Sequence, residues 1–221
     1  LALSRFTDIS NALCRWENTK TQVRNLFARQ ALPIVWDFAE PSLFGDQAGD
    51  YAVTLGTMAR VIQNMPGFDN TGQVQVADAC ATPLPDEACG VWFTDPPYYD
   101  AVPYADLADF FFVWLKRSLP RHPLLRDPFD PKNPLTPKTQ EIVQDEVKQV
   151  NGRPKDRTFF EEMMAKAFAE GRRVLKDDGV GCVVFAHKTT EGWEALLSGM
   201  VKGGWVITGS WPIATEMGSR L

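Results

Sequence analysis

The sequence predicts an α/β fold in which a parallel sheet carries helices on both faces, preceded by a mostly helical segment. Apolar runs of strand length alternate with amphipathic helices over the second two thirds of the chain, the pattern typical of a parallel sheet. Asp78, Asp95 and His187 each follow one of these runs directly. Because ligands of open parallel sheets lie beyond the carboxyl ends of the strands, these three positions predict the location of a functional site. A length of 221 residues suffices for one ample core.

Residues 1–65 are predicted to form a helical segment that packs on the core, because apolar residues recur there at helical spacing. These positions are Phe6, Ile9, Leu13 and Trp16, followed by Ala52, Leu55, Met58 and Ile62. The first 30 residues contain five basic and two acidic side chains. A solvated helix face explains this local surplus more simply than contacts with phosphate groups do.

Residues 66–221 are predicted to form the second domain, which begins at a turn over residues 66–72. The predicted strands cover residues 73–77, 91–94, 180–186 and 205–208, and the predicted helices cover residues 104–118, 158–175 and 191–200. Gly179 is predicted to end the second of these helices in a left-handed conformation. Residues 120–157 begin with a proline-rich stretch and are predicted to form a long loop or lid.

Composition argues against several classes of function. A formal net charge of −5 is not that of a self-sufficient nucleic-acid-binding surface. The four cysteines are scattered and there are only two histidines, so neither a metal site nor a disulfide framework is expected. No apolar run approaches the roughly 18–20 residues that span a bilayer, and no signal-peptide pattern is present. A cytoplasmic protein with no membrane partner is the expectation.

Asp95-Pro96-Pro97-Tyr98, directly after the apolar strand at 91–94, is the strongest candidate for chemistry. A structural explanation exists, since an aspartate after a strand can cap the next helix and two prolines end a strand. The context favours a catalytic role, because an amphipathic helix follows and a second acidic strand end, Asp78, lies upstream.

The residue types suit methyl transfer to an exocyclic amine, whose lone pair is delocalised into the base. The Asp95 carboxylate and the Pro96 carbonyl can accept both N–H groups and direct the lone pair at a methyl donor. The prolines fix φ and therefore the direction of that carbonyl. Tyr98 offers a face on which an extruded base can stack, worth about 1–3 kcal/mol per base.

The run from Thr94 to Leu107, Thr-Asp-Pro-Pro-Tyr-Tyr-Asp-Ala-Val-Pro-Tyr-Ala-Asp-Leu, resembles the catalytic motif of S-adenosylmethionine-dependent amino-methyltransferases. Together with Phe110 to Leu115 it is similar to a narrower group, the large bacterial and archaeal adenine-specific DNA methylases that carry a DUF1156 region. The similarity continues through residues 29–33, 36–40, 135–138, 186–188 and 211–213, and thus covers most of the chain.

This resemblance implies a partial Rossmann-like class I methyltransferase sheet, with Asp95, Pro96 and Tyr98 catalytic. Asp78 and Asp95 are implied to bind S-adenosyl-L-methionine, with a plain turn aspartate as the alternative for Asp78. Further positions are implied, more weakly, to contact the substrate: Pro97, Tyr99, Tyr104, His187 and Trp211, with Thr215 and Glu216 beside the last. For His187 the alternative is a hydrogen-bonded surface residue, and for Trp211 it is hairpin packing.

One departure from the family is serious, because the glycine-rich cofactor loop of the Asp-Pro-Phe-x-Gly-x-Gly kind is absent from the sequence. We therefore expect a fragment of a longer protein in which upstream sequence supplies that loop, and an inactive chain in isolation. The implied activity of the parent is methylation of adenine in DNA. The alternatives are an RNA or cytosine amino-methyltransferase, or a non-catalytic nucleic-acid docking module.

Overall fold

A computed structural model describes residues 1–29, 31–67 and 72–213 of the chain. Thr215, Glu216 and most of the predicted turn at 66–72 lie outside these residues. The chain forms two compact units, Leu1–Val74 with Ala105–Thr136, and Gln75–Tyr104 with Pro137–Leu221. The first unit is therefore discontinuous in sequence, and the predicted division after residue 65 stays a prediction.

In the first unit, the mostly helical segment predicted for residues 1–64 is only partly present. The helices are α1 (Ala2–Ile9), a 3-10 turn (Leu26–Ala28), α2 (Tyr51–Gln63) and α3 (Tyr104–Ser118). Between α1 and the 3-10 turn, strand β1 (Arg15–Glu17) pairs antiparallel with β2 (Gln22–Arg24). The helical periodicity failed here because the Asn11 side chain accepts the N–H of Leu13 at 2.9 Å, in a turn that follows α1.

The second unit contains the remaining elements of the described chain. They are β3 (Cys89–Thr94), β4 (Asp145–Val150), β5 (Arg153–Lys155), α4 (Arg157–Val174), β6 (Leu175–Val183) and α5 (Thr190–Lys202). Strands β3 and β6 run parallel, with Phe93 opposite Cys182. The prediction of an α/β fold with a parallel strand pair is confirmed at this level. The three helices predicted within residues 66–221 correspond to α3, α4 and α5, with ends within three residues of those expected.

One face of the β3–β6 pair packs on helices α4 and α5. Trp92 and Val183 contact a core that includes Phe160, Phe168 and Leu196 from the two helices. The other face is open among the described residues, with Phe93 68% and Val180 63% exposed. The predicted cover of helices on both faces is therefore not seen in the described chain.

Residues 73–77 and 205–208, both predicted as strands, form no strand in the described chain. Val74 is 94% and Val206 82% exposed, although both segments have strand-like composition. A strand is stabilised by hydrogen bonds and side-chain contacts with a neighbour rather than by its own sequence. The two segments lack such a neighbour here, so the sequence pattern alone was not sufficient.

Two further local predictions are wrong. Helix α4 ends at Val174, and Gly179 lies inside β6 without a positive φ, so it does not end the helix. A side chain at Gly179 would come within 2.7 Å of Leu175 Cδ1, which explains the glycine by packing. The long loop at 120–157 also contains regular structure, since β4 and β5 form a hairpin. Asn151 and Gly152 turn that hairpin with positive φ values, as a two-residue Asn-Gly turn requires.

Arg173 on α4 connects the helix to the loop that precedes β3. Its guanidinium forms hydrogen bonds with the carboxylate of Glu170, with Asp86 and with the carbonyl of Leu84. Glu170 also accepts the N–H of Thr82 at 2.8 Å. The hydrogen bond from Arg173 lowers the pKa of Glu170 to about 2, against a reference value of 4.5.

This depressed pKa predicts a specific acid sensitivity. Because the folded-state pKa of Glu170 lies below its unfolded value, its contribution to stability is present above about pH 4.5 and is lost as pH falls towards 2. Glu170→Gln removes the titration, so the stability difference between wild type and variant should shrink across that pH interval. Urea unfolding followed by circular dichroism at several pH values measures the difference. A difference that stays constant with pH would contradict the assignment.

Candidate active site at the end of strand β3

Strand β3 delivers the Asp95-Pro96-Pro97-Tyr98 motif to the carboxyl end of the parallel pair. The last ladder bond runs from the N–H of Val184 to the carbonyl of Thr94 at 2.8 Å. Pro96 and Pro97 have no N–H with which to continue the ladder, so the strand ends where the motif begins. Asp95 is exposed and Pro96 is buried directly behind it.

The carboxylate of Asp95 has no hydrogen-bonding partner among the described residues. It makes no hydrogen bond or ion pair with any residue that the structure describes, and neither does the carbonyl of Pro96. Two acceptors on consecutive residues thus have no partner among the described residues, the carboxylate of the exposed Asp95 and the carbonyl of the buried Pro96. An ionised carboxylate is an acceptor with about four lone-pair sites, which suits a ligand that carries N–H groups.

Aromatic side chains pack around Tyr98, the last residue of the motif. The Tyr98 ring packs edge-to-face on Phe185, which follows β6, with 5.5 Å between ring centroids. Phe185 in turn contacts Trp193 of α5 edge-to-face at 5.1 Å. The indole N–H of Trp193 donates to the carbonyl of His187 at 3.0 Å, which fixes its orientation. The motif is therefore bordered by large apolar rings held by β6 and α5.

Tyr99 closes the motif with a strained turn. Its φ of +49° is in the left-handed region, which is unfavourable for a residue with a side chain. The ring is 2% exposed and packs edge-to-face on Phe160 at 5.0 Å. Its hydroxyl donates to Glu191 at 3.1 Å, and burial together with the Glu191 carboxylate raises the pKa of Tyr99 to about 12. Tyr99 thus lies in the core, where it stabilises the turn rather than facing solvent.

His187 lies behind that turn, with its side chain 2% exposed. Its Nε2 is 3.2 Å from Oδ1 of Asp100, the residue that follows Tyr99. The imidazole stacks on Phe185 with an interplanar angle of 12° and meets Tyr99 edge-on. The predicted substrate contact of His187 stays a prediction, while its described contacts are all with neighbouring protein groups.

Asp78 occupies a turn before β3. Its Oδ1 accepts the N–H of Cys80 at 2.8 Å, and Asp78 forms an isolated bridge with Ala81. Burial and the charge of Asp78 raise the pKa of the Cys80 thiol to about 11. This geometry is that of a turn aspartate, the alternative considered above. The carboxylate keeps lone pairs for a further donor, so the predicted cofactor contact stays a prediction.

The remaining predicted contacts are less closely associated with Asp95. Pro97 accepts the N–H of Tyr99 at 3.0 Å and so belongs to the turn, and Tyr104 begins α3 at 39% exposure. Trp211 is 80% exposed, and its ring lies where a side chain on Gly209 would be. The sequence analysis assigned no role to the supporting residues Glu191, Asp100, Phe185 and Trp193, although Asp100 lies within the run from Thr94 to Leu107. They belong to this site because the fold brings β6 and α5 to the end of β3.

The described residues fit a methyl-donor cofactor only in part. Asp95 and Asp78 are acceptor groups of the kind that bind amines and hydroxyls, but the sequence contains no glycine-rich turn to accept the rest of such a molecule. Within residues 1–29, 31–67 and 72–213, no group of three metal-ligating side chains is brought together. No helix of that part of the chain is long and apolar enough to cross a membrane.

The fold and the site define a mixed α/β protein in which a carboxylate and a carbonyl at the end of a parallel strand have no partner among the described residues. The chain matches no family model, and it matches neither a curated protein nor a solved structure.

Proposed function

We propose that this chain provides the amine-binding site of an S-adenosylmethionine-dependent methyltransferase that acts on the exocyclic amine of adenine in DNA. The observation that supports the proposal is the pair of unpartnered acceptors at the end of β3. The Asp95 carboxylate and the Pro96 carbonyl accept nothing from the described residues, and they stand on consecutive residues of a rigid dipeptide.

The two acceptors have complementary roles in this proposal. Each accepts one N–H of the amine, which draws the nitrogen towards tetrahedral geometry and points its lone pair away from the ring. The negative charge of Asp95 stabilises the positive charge that develops on nitrogen as the methyl group transfers. Orientation by fixed groups lowers the barrier without prior deprotonation of the amine.

The aromatic residues around Tyr98 support a base that has left the duplex. A flipped adenine needs a flat apolar surface to replace its lost stacking, and the Tyr98 ring, packed on Phe185, lies three residues after Asp95 in the same motif. Base stacking on an aromatic side chain is worth about 1–3 kcal/mol. Tyr98 is the proposed stacking residue, with Phe185 behind it.

S-adenosylmethionine supplies the electrophilic methyl group when bound. In this proposal Asp78 and Asp95 contribute polar contacts to it, and a glycine-rich loop from sequence outside these 221 residues completes the pocket. A Rossmann-like sheet accompanies this arrangement, in which further strands pair with residues 73–77 and 205–208. The exposure of Val74 and Val206 in those strand-like segments supports it.

The proposed function is tested with methyl-tritiated S-adenosylmethionine and four oligonucleotide substrates. Two are DNA and two are RNA, and one of each pair contains adenine without cytosine while the other contains cytosine without adenine. Assays use the 221-residue chain and its natural full-length protein in parallel. Label on adenine in DNA is the expected result for the full-length protein. Label on RNA or cytosine supports the alternative specificity. Binding to DNA without any transfer supports a non-catalytic docking module and contradicts the proposal.

A further inference from the structure

The turn that ends the Asp95-Pro96-Pro97-Tyr98 motif is connected to helix α5 by a directed chain of hydrogen bonds. The N–H of Gly192 donates to the hydroxyl oxygen of Thr189, the N-cap of α5, at 3.4 Å. The Thr189 hydroxyl lies 3.0 Å from Nδ1 of His187, and the Thr189 N–H donates to the same nitrogen at 3.2 Å. On the other side of the ring, Nε2 faces Asp100 at 3.2 Å.

These partners fix the tautomer of His187. A backbone N–H can only donate, so Nδ1 must accept and carry no proton. An ionised carboxylate can only accept, so Nε2 must carry the proton. The Thr189 N–H and Asp100 therefore both favour the tautomer with its proton on Nε2, whereas the Thr189 carbonyl, at the longer distance of 3.4 Å from Nδ1, would suit the other tautomer.

The packing of α5 leaves space for this ring and for little else. A Cβ at position 192 would lie 2.3 Å from Nδ1 of His187, so the helix carries glycine at the point where the imidazole contacts its first turn. The ring is also enclosed by Phe185 and Tyr99. These contacts hold the His187 ring in place independently of its hydrogen bond to Asp100.

Asp100 directly follows the strained residue Tyr99, so a contact that holds Asp100 also restrains the backbone of Tyr99. Tyr99 is held at positive φ, and the turn around it contains two short-range bonds, Tyr99 N–H to Pro97 O at 3.0 Å and Ala101 N–H to Tyr98 O at 2.8 Å. A non-glycine residue in this conformation persists only where its surroundings hold it. Tyr99 is held by its buried ring and by its carbonyl, which accepts the N–H of Gln144 at 2.9 Å, and Asp100 is the next point of attachment along the chain.

We propose that His187 is a positioning residue for the Asp95-Pro96-Pro97-Tyr98 motif, whose Nε2–H holds Asp100 and thereby keeps the left-handed turn at Tyr99 closed. The consequence for Pro96 and Tyr98 rests on the function proposed above. The hydrogen-bonded connection itself is a property of the fold and does not depend on that function.

The tautomer and the turn are both measured by NMR on the 221-residue chain. At about pH 8, where an ordinary histidine is neutral, ¹⁵N spectra should show the His187 proton on Nε2. His187→Gln places an amide N–H near the position of Nε2, whereas His187→Asn cannot reach it. Hydrogen exchange at Ala101 should accelerate about tenfold in His187→Asn, equivalent to about 1.4 kcal/mol, and much less in His187→Gln.

Asp100→Ala provides the second arm, since its side chain is 55% exposed and its removal leaves no cavity in the core. It should match His187→Asn in the exchange of Ala101, and the double variant should add little to either. A proton on Nδ1, or unchanged exchange in Asp100→Ala, overturns the proposal.

Activity separates this inference from the proposed function. If the full-length protein transfers methyl groups, His187→Asn should lower kcat about tenfold with little change in KM for S-adenosylmethionine, and His187→Gln should restore most of the loss. If no transfer occurs in wild type, the proposed function fails and the exchange data still decide the role of His187. A change in KM alone would indicate a substrate contact and contradict positioning.

Discussion

Replacing Asp95 by alanine should lower the rate of the proposed methyl transfer by the full-length protein at least about a hundredfold, with little effect on folding. The removal of one preorganised polar group at a reacting centre costs about 10²–10³ in kcat. Stability should hardly change, because the Asp95 carboxylate is exposed and has no partner among the described residues. Single-turnover assays with tritiated S-adenosylmethionine measure the rate, and urea unfolding measures stability.

Asp178→Ala is the matched control, since Asp178 is also an exposed aspartate of the second unit, within strand β6. It should leave the rate within about twofold, as surface substitutions usually have small effects. Asp95→Asn separates charge from shape, because the amide keeps one acceptor oxygen but presents donors to the amine. Activity of Asp95→Ala equal to that of the control would exclude Asp95 from the reaction and with it the proposed mechanism.

Replacing Phe160 by alanine should destabilise the second unit by about 3–5 kcal/mol, the usual cost of removing a large buried aromatic side chain. Phe160 is 0% exposed and lies at the contact of α4 with the Tyr99 turn. The loss combines apolar surface returned to water with a cavity that the surrounding residues cannot fill. Urea unfolding by circular dichroism and tryptophan fluorescence gives the change in free energy of unfolding.

Phe93→Ala is the comparison for this prediction, because Phe93 is in the same unit but 68% exposed on β3. Its cost should stay below about 1 kcal/mol, the span of strand propensity effects. Equal costs for the two variants would mean that the outer face of β3 is as buried as the core. A smaller loss at Phe160 than at Phe93 would contradict the packing of α4 described above.

The helices of the second unit could be predicted because their signal is local. Helix α4 has apolar residues recurring on one side and arginines in its last turn. Asp156 is its N-cap, and the Asp156 side chain accepts the N–H of Phe159. Strand β3 was recognisable from its apolar run and from the prolines that end it. These properties act within a few residues, so the sequence contains them completely.

The predictions that failed did so for the opposite reason. They are the strands at 73–77 and 205–208 and the continuation of the N-terminal helical pattern through Leu13 and Trp16. A strand requires a partner that is distant in sequence, and Val74 and Val206 remain exposed without one. The turn at Asn11 is set by one side-chain hydrogen bond that competes with the helix. In both cases an interaction outside the periodic pattern decides the outcome.

The groups offered at the end of β3 follow from the amino-acid sequence alone, since the residue types of Asp95, Pro96 and Tyr98 define two acceptors and a ring. Which residues support these groups depends on long-range packing. It places Tyr99 in the core, pairs His187 with Asp100 and brings Glu191 to the Tyr99 hydroxyl. Those contacts join residues about ninety positions apart, and such pairs arise from the parallel pairing of β3 with β6 and the packing of α5, which no local pattern encodes.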